Sequence, residues 1–304
     1  MDRFHLMNVY VAVAEAQSFA GGARKLNMSP PAVTRAVAAL EERLSVKLLT
    51  RTTRYVRTTD AGLRYLEDAR RILMEVDEAD EAAAGINATP RGHLTVTAPV
   101  LFGRMFVTPS IVEYLQAFPE VSISAIFLDR VVNLLEEGID VGVRIGDLPD
   151  STMRAIKVGY VRRILCASPT YLEQNGIPQG PEDLNQHTII SASSVSPQVE
   201  WQFEQQGQKI QIKIKPRLTM TNNDAAIEAA VQGFGITRLL SYQAAPYLAS
   251  GQLKIILSDY ECARTPIHII HRENRLASAK VRSFIDMLSA YLRDHQALYA
   301  SDRG

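Results

Sequence analysis

The sequence predicts two fold classes in series: an all-α N-terminal domain closed by a short two-stranded wing and a long helix, then an α/β domain of two lobes. Three observations carry that prediction. Apolar residues recur at helical spacing through roughly the first third of the chain, the pattern turns to period two beyond Gly92, and Pro90 and Gly92 mark the change. The 304 residues call for two or more cores at about 100 to 200 residues per domain.

The first helix starts at the N-terminus, with Phe4, Met7, Val11 and Ala14 on one side. A second carries Phe19, Ala23 and Leu26, the chain turns through Asn27-Met28-Ser29, and a third helix opens at Pro30-Pro31. Ser29 is a good N-cap, and proline in a first turn loses only an N–H that would stay unpaired anyway. Val33, Ala36, Val37 and Leu40 share one face, which leaves Ala32, Thr34, Arg35 and Ala39 looking outward. Such a pair of helices is a helix-turn-helix, whose second helix enters the major groove of duplex DNA with its first turns against the base edges. Val46-Lys47-Leu48-Leu49 reads as a strand of a two-stranded wing, with Arg51, Arg54 and Arg57 following at intervals of three. Residues 1–58 hold nine Lys/Arg against four Asp/Glu, a surplus of five in a chain of zero net charge, so positive charge is concentrated where phosphates are met. A small helical domain with a solvated basic face is the competing reading of this stretch alone.

From Thr59 to Asn87 no proline interrupts the chain, and Gly62, Tyr65, Ala69, Ile72, Val76, Ala79, Ala83 and Ile86 repeat with 3,4 spacing, widened by Leu66 and Leu73. A helix of this length spans roughly 40 Å at 1.5 Å per residue, too long for an ordinary surface helix, and reads as a dimerisation helix. Its acidic residues cluster beyond Glu75, away from the DNA end.

After the hinge Ala88-Thr89-Pro90-Arg91-Gly92, Leu94–Ala98 and Val121–Ala125 read as strands flanking a helix with Ile111, Tyr114, Leu115 and Phe118. Val131–Glu137 reads as a helix closed by Gly138, and Val141–Ile145 as the next strand, an order that predicts a parallel sheet with helices on its faces. A second unit from Arg163 to Pro266 offers strands at 163–168, 188–192, 210–214 and 218–221, a turn-rich stretch from Pro169 to His187, a helix opened by Asn223-Asp224, the pair Gly233-Phe-Gly235, and a helix over Tyr242–Ala249. Ile267–Ile270 and Lys280–Leu292 add a last strand and helix. Two α/β units in series take ligand in the crevice at the carboxyl ends of their strands.

Other classes find little support. Cys166 and Cys262 lack metal or redox spacing and read as free core thiols of a reduced, cytoplasmic protein. There is no secretory leader and no apolar run near eighteen residues, so no membrane is expected. The six histidines are scattered, and His268 and His271 fall on opposite sides of one strand, so no metal is expected, nor any cofactor. Gly233-Phe-Gly235 lacks the third glycine of a dinucleotide fingerprint, and neither a Walker loop nor a nucleophile elbow is present, so the chain does not read as an enzyme. The alternative is a solute-binding or enzymatic α/β protein carrying a helix-turn-helix only as an interaction module.

The N-terminal residues resemble the LysR-type transcriptional regulators. The resemblance is carried by Ser18-Phe19, Gly22-Ala23, Leu26, Ser29 through Arg35, Leu40-Glu41, Leu48-Leu49, Arg51-Thr52 and Thr59-x-Ala61-Gly62. It continues through Phe118-Pro119, Leu134-x-x-Glu137-Gly138-x-Asp140-Val141-x-Val143-Arg144-x-Gly146, Cys166 through Pro169, Tyr171-Leu172, Pro181-x-Asp183-Leu184, His187 and Gly233-x-Gly235-Ile236, which resemble that family's effector domain, a fold like the type II periplasmic binding proteins. The resemblance implies a winged helix-turn-helix over 1–58, a linker and dimerisation helix over 59–87, a hinge over 88–92 and an effector-binding domain over 93–304. In the last, residues from about 267 return to the subdomain of 93–162, and 163–266 form the other. It further implies DNA contacts from Ser29, Pro30, Pro31, Ala32, Thr34, Arg35, Arg51 and Arg54. A small-molecule effector, anionic if it uses the helix openings near 100 and 223, would lie near Ala98, Pro99, Val100, Leu101, Phe127, Arg144, Gly146, Ser191, Thr221 and Asn222. Its partners would be promoter DNA, RNA polymerase and copies of itself in a homodimer or homotetramer. Three positions depart from the family pattern: Pro30 stands where glutamine is common, Asn133 replaces a frequent aspartate, and Leu240 stands where proline is frequent.

Overall fold

The computed structural model describes residues 2–51, 56–84, 89–148, 153–192, 200–272, 278–295 and 298. They fall into two compact units, Met1–Ala88 and Thr89–Gly304.

The first unit comprises α1 (Arg3–Ala16), α2 (Phe19–Lys25), α3 (Pro30–Leu44), the strands β1 (Leu49–Arg51) and β2 (Val56–Thr58), and α4 (Asp60–Ala84). Val33, Ala36, Val37 and Leu40 of α3 are buried together, as their spacing predicts, against Val9, Tyr10 and Val13 of α1 and Leu66 of α4. The buried face of α1 is wider than the one its pattern suggests: Met7 and Ala14 are buried and Val11 half-buried as expected, but Phe4 is not. Leu6, Val9, Tyr10 and Val13 are buried while Phe4 is 41 % exposed, because α1 is apolar nearly all round and its three neighbours α2, α3 and α4, not its own period, choose the inner face. The wing strand begins at Leu49 and not at Val46, with Leu49 opposite Thr58 and Arg51 opposite Val56. The cause is Glu41, whose Oε1 accepts the amides of Leu48 at 2.9 Å and Leu49 at 3.1 Å and so holds the chain to α3 before the ladder starts.

The seam of α4 is divided. Gly62, Leu66 and Ala69 are buried and Tyr65 half-buried, with Leu66 and Tyr65 packed in the head's own core, whereas Ala79 is exposed. The Tyr10 hydroxyl donates to the Gly62 carbonyl at 2.7 Å. Glycine is required there, because a Cβ would lie 2.0 Å from the Leu48 carbonyl oxygen. The first half of the repeat therefore serves intramolecular docking, a use that 3,4 spacing alone does not distinguish from pairing with a second helix. Ile86 lies outside the described residues, and the Ala83 side chain is not described.

The second unit begins with β3 (Gly92–Ala98), α5 (Val100–Phe102), a π-turn over Gly103–Val107, α6 (Thr108–Ala117), β4 (Val121–Phe127), β5 (Val141–Ile145) and β6 (Met153–Val161). The chain then crosses to β7 (Arg163–Ala167), α7 (Pro169–Asn175), a 3₁₀ turn over Pro181–Gln186, β8 (Ile189–Ala192), β9 (Glu200–Gln205), β10 (Gln208–Lys213), β11 (Leu218–Met220), α8 (Asn223–Val231), β12 (Ile236–Leu240), α9 (Ser241–Ala249) and β13 (Lys254–Ile256). It returns through β14 (Thr265–Arg272) and α10 (Ala279–Asp294).

One sheet has the order β4-β3-β5-β14-β6 and the other β11-β8-β12-β7-β13. Neither is wholly parallel as anticipated. β3 runs parallel to β4 and β5, but β14 is antiparallel to β5 and β6, and β7 is antiparallel to β12 and β13. The antiparallel strands are those that carry the chain between lobes: each enters its sheet from the other lobe and so runs against the parallel trio. The anticipated helix over Val131–Glu137 is a single turn. Asn133 Oδ1 takes the Leu135 amide at 3.0 Å, and Glu137 is held in a two-pronged pair by Arg130, so side chains claim groups that a longer helix would use. Ser168 caps α7 within the stretch read as turns, accepting from the Tyr171 amide at 3.2 Å. Gly235 serves packing, since a Cβ there would meet the Thr188 carbonyl oxygen at 2.4 Å, whereas Gly233 turns the chain at φ +82°. Cys166 is buried, its thiol pushed up to about 12 by burial, but Cys262 is only half-buried and points its sulfur to the Gln202 carbonyl at 3.3 Å, so only one of the two is a core thiol.

Candidate DNA interface and effector cleft

The front of α3 presents Ser29, Pro30, Pro31 and Arg35 exposed, with Ala32 and Thr34 half-buried. Ser29 occupies the N-cap position, yet its side chain makes no capping bond. Pro30 and Pro31 have no N–H to offer, and the Ala32 amide instead donates to the Ser29 carbonyl at 3.0 Å. The Ser29 hydroxyl thus stays at the exposed end of the helix instead of being spent on a cap. Arg35 projects from the next turn and makes no ion pair among the described residues. In the wing, Arg57 is exposed and registers with Thr50; Arg54 lies outside the described residues, and of Arg51 only the backbone is described.

The basic surplus of the head is partly absorbed internally, which a count of charges does not reveal. Lys25 bonds Glu15 at 2.6 Å and Arg70 reaches the same carboxylate at 2.9 Å, tying α2 and α4 to α1. Lys47 bonds Glu41 Oε2 at 2.7 Å. Burial raises the Glu41 carboxyl, but the hydrogen bonds from Lys47 and from the Leu49 and Leu48 amides outweigh it and hold the group below the usual carboxylate range. Glu15 behaves alike: burial opposes ionisation, and Lys25 and Arg70 prevail.

In the second unit the strand-end residues converge in two groups. Ala98 pairs with Phe127 at the carboxyl ends of β3 and β4, Pro99 to Leu101 open α5, and Gly146 closes β5. Ser191 pairs with Thr219, while Thr221 and Asn222 follow β11. The lobes meet beside these ends through Phe102 and Tyr242, whose rings stand edge to face at 5.4 Å, and through Arg162 and Ser241, which exchange bonds of 2.9 and 3.2 Å. Three residues are already engaged by the fold. The Val100 amide, one of the groups considered for an anion, donates to Asp129 Oδ1 at 3.0 Å, so a carboxylate of the chain itself fills that role. Asn222 Oδ1 accepts from Ala225 as the cap of α8. Arg144 turns to the face of β5 away from Val141 and Val143 and donates to the Val132 carbonyl at 3.3 Å, with burial lowering its pKa. Asp129 escaped the sequence reading because it lies outside every strand and helix signal.

A head built to lay a helix in the major groove, followed by a two-lobed ligand-binding fold, defines a small-molecule-controlled regulator of transcription. A family model described as the bacterial regulatory helix-turn-helix protein of the lysR family matches residues 4–63, and one described as the LysR substrate binding domain matches residues 87–293. The chain belongs to the LysR family. It is 32 % identical over 281 residues to an HTH-type transcriptional regulator of Haemophilus influenzae, covering 92 % of this chain and 98 % of that one. The full-length Vibrio cholerae virulence activator AphB shares its fold with a TM-score of 0.64 at 26 % identity, over 95 % of this chain and 99 % of that one. CrgA of Neisseria meningitidis, a LysR-type transcriptional regulator, does so with a TM-score of 0.61 at 29 % identity, over 95 % and 98 %.

Proposed function

We propose that this regulator reads its operator through Ser29, Thr34 and Arg35 of α3, with Pro30, Pro31 and Ala32 in close contact with the groove wall and Arg51 and Arg54 of the wing on phosphates or a minor groove. The observation that carries the reading is the exposed front of α3, where two prolines leave Ser29 uncapped and Arg35 stands clear of ion pairs among the described residues. Pro30 brings no side-chain hydrogen bond, so base discrimination shifts to Thr34 and Arg35. Two copies pair through the part of α4 beyond Ile72, and pairs assemble further into a tetramer through the effector domains. The protein works in the cytoplasm on promoter DNA, where it meets RNA polymerase. A small molecule at the strand ends, near Ala98–Leu101, Phe127, Gly146, Ser191 and Thr221, changes the spacing of the heads. Because Asp129 already occupies the Val100 amide, that cleft suits a neutral or cationic group at α5 better than the anion considered from the sequence. Arg35→Ala is expected to weaken operator binding by about 1–3 kcal/mol and relax specificity at one base pair, measured by titrating labelled duplex at fixed salt. Unchanged affinity and specificity would remove α3 as the reader.

A further inference from the structure

We propose that the second lobe carries an acid-sensitive latch, in which neutral His187 holds α7 to the start of β8 through the Tyr171 hydroxyl and protonated His187 releases it. Tyr171 is buried, and its hydroxyl oxygen takes the Thr188 amide at 2.9 Å while standing 3.1 Å from His187 Nδ1. A backbone amide can only donate, so Thr188 uses that oxygen as its acceptor and the hydroxyl proton is left to find one of its own. Nδ1 receives it, which requires a neutral ring carrying its proton on Nε2. Protonation sets a hydrogen on Nδ1 as well, facing the same oxygen, and turns the hydroxyl proton away into a buried corner. A buried donor stripped of its acceptor is costly, so the fold favours the neutral ring.

Among the described residues, the groups that act on the ring are the Tyr171 hydroxyl from α7 and the Asp183 carboxylate from the 3₁₀ turn, while β8 and β12 meet the latch at Thr188 with backbone groups. Asp183 is itself fixed, its Oδ2 accepting the Gln179 and Gly180 amides at 2.8 and 3.1 Å. Burial opposes the charged ring and outweighs the pull of Asp183, so the His187 pKa lies below the usual histidine value. The unfolded chain then binds this proton more readily than the folded one, and stability rises with pH. The contribution is complete above about pH 6.5 and disappears as pH falls through the folded value. Thr188 is held on its other side too, where its carbonyl takes the Ile236 amide at 2.9 Å beside Gly235. Helix α7, β8 and β12 therefore join at one residue, and β8 runs from it to Ser191, which pairs with Thr219. Loosening Thr188 in mild acid reaches the strand end assigned to the effector, a consequence that rests on the effector reading, whereas the latch itself does not.

The test follows the full-length protein from about pH 7.5 to about pH 5, a window that histidine spans and that lies above the carboxylate range. Amide hydrogen exchange of peptides covering residues 184–192, corrected for the intrinsic rate, is measured beside the melting temperature. In the native protein, exchange in this segment should accelerate severalfold towards acid and the melting temperature should fall by several degrees. His187→Asn puts a carbonyl oxygen that does not titrate near the place of Nδ1, so it should keep the protection seen at neutral pH and flatten both profiles. Tyr171→Phe removes the hydroxyl, so it should expose the segment already at neutral pH and flatten the profiles as well. A native profile without acid acceleration overturns the proposal, and so does a His187→Asn profile that follows the native one in both measurements. Neutral-pH protection of Thr188 that survives Tyr171→Phe overturns it too. Both measurements use protein without effector, so their outcome is independent of the strand-end reading.

Discussion

Gly62→Ala should destabilise the head by about 3 kcal/mol, the upper part of the range for overpacking a tight core, and abolish operator binding at the temperature where the native protein is active. The added Cβ would meet the Leu48 carbonyl oxygen at 2.0 Å, its carbon at 2.9 Å and the Tyr10 hydroxyl at 3.0 Å. Two of these atoms are backbone, so relief requires the wing and α4 to separate, which also breaks the 2.7 Å bond from Tyr10 to the Gly62 carbonyl. In a head of this size such a loss lowers the melting temperature by roughly 10–20 °C. Calorimetry that finds the head transition within a few degrees of the native value would show that α4 is not locked there.

Glu41→Ala should cost about 3 kcal/mol for a different reason. The carboxylate accepts the Leu48 and Leu49 amides and the Lys47 ammonium, and its removal leaves two amides in a buried corner without an acceptor. Denaturant unfolding of the native and Ala proteins near neutral pH measures the difference. Glu41→Gln keeps one acceptor oxygen and should lose less. The same group gives an acid limit with a definite sign. Glu41 and Glu15 both sit below their ordinary value of 4.5 when folded, so the unfolded chain binds more protons and stability rises with pH through this range. Their contribution is complete above about pH 4.5 and disappears as pH falls through the folded values. In Glu41→Gln the acid-side slope should be shallower than in the native head, and an unchanged slope would show that Glu41 contributes nothing to it.

The elements that rest on strong local patterns are those the sequence determines. The inner face of α3 follows from Val33, Ala36, Val37 and Leu40, whose spacing matches one helical side and whose outward neighbours are polar or small. The strands β3, β5, β8 and β14 likewise come from short β-branched runs. What escaped has a tertiary cause. Among the described residues β9 and β10 pair only with each other, and β9, rich in glutamine and glutamate, carries no strand pattern until Trp201 and Phe203 are seen buried beneath it. Arg163 and Arg238 could not be brought together from sequence, because they lie far apart along the chain and meet through strand register, and Glu261 joins them in one cavity wall from the turn after Tyr260. Asp129 on the Val100 amide and Glu41 on the wing are likewise single side chains acting on distant backbone. A repeat such as that of α4 declares that a face is apolar but not whose core covers it.

Leu48, its N–H accepted by Glu41 and its carbonyl bonded by the Thr59 amide and packed on the bare backbone of Gly62, leaves the head without a joint. Recognition helix, wing and linker helix then move as a single lever. The 25 residues of α4 make an arm of about 37 Å. Tilting that arm by about 5° about its far end carries the reading surface through about 3 Å, close to the 3.4 Å rise of one base step along a DNA strand. A regulator built this way has no slack in which a small displacement can be lost, and its sensitivity is set by the length of the arm.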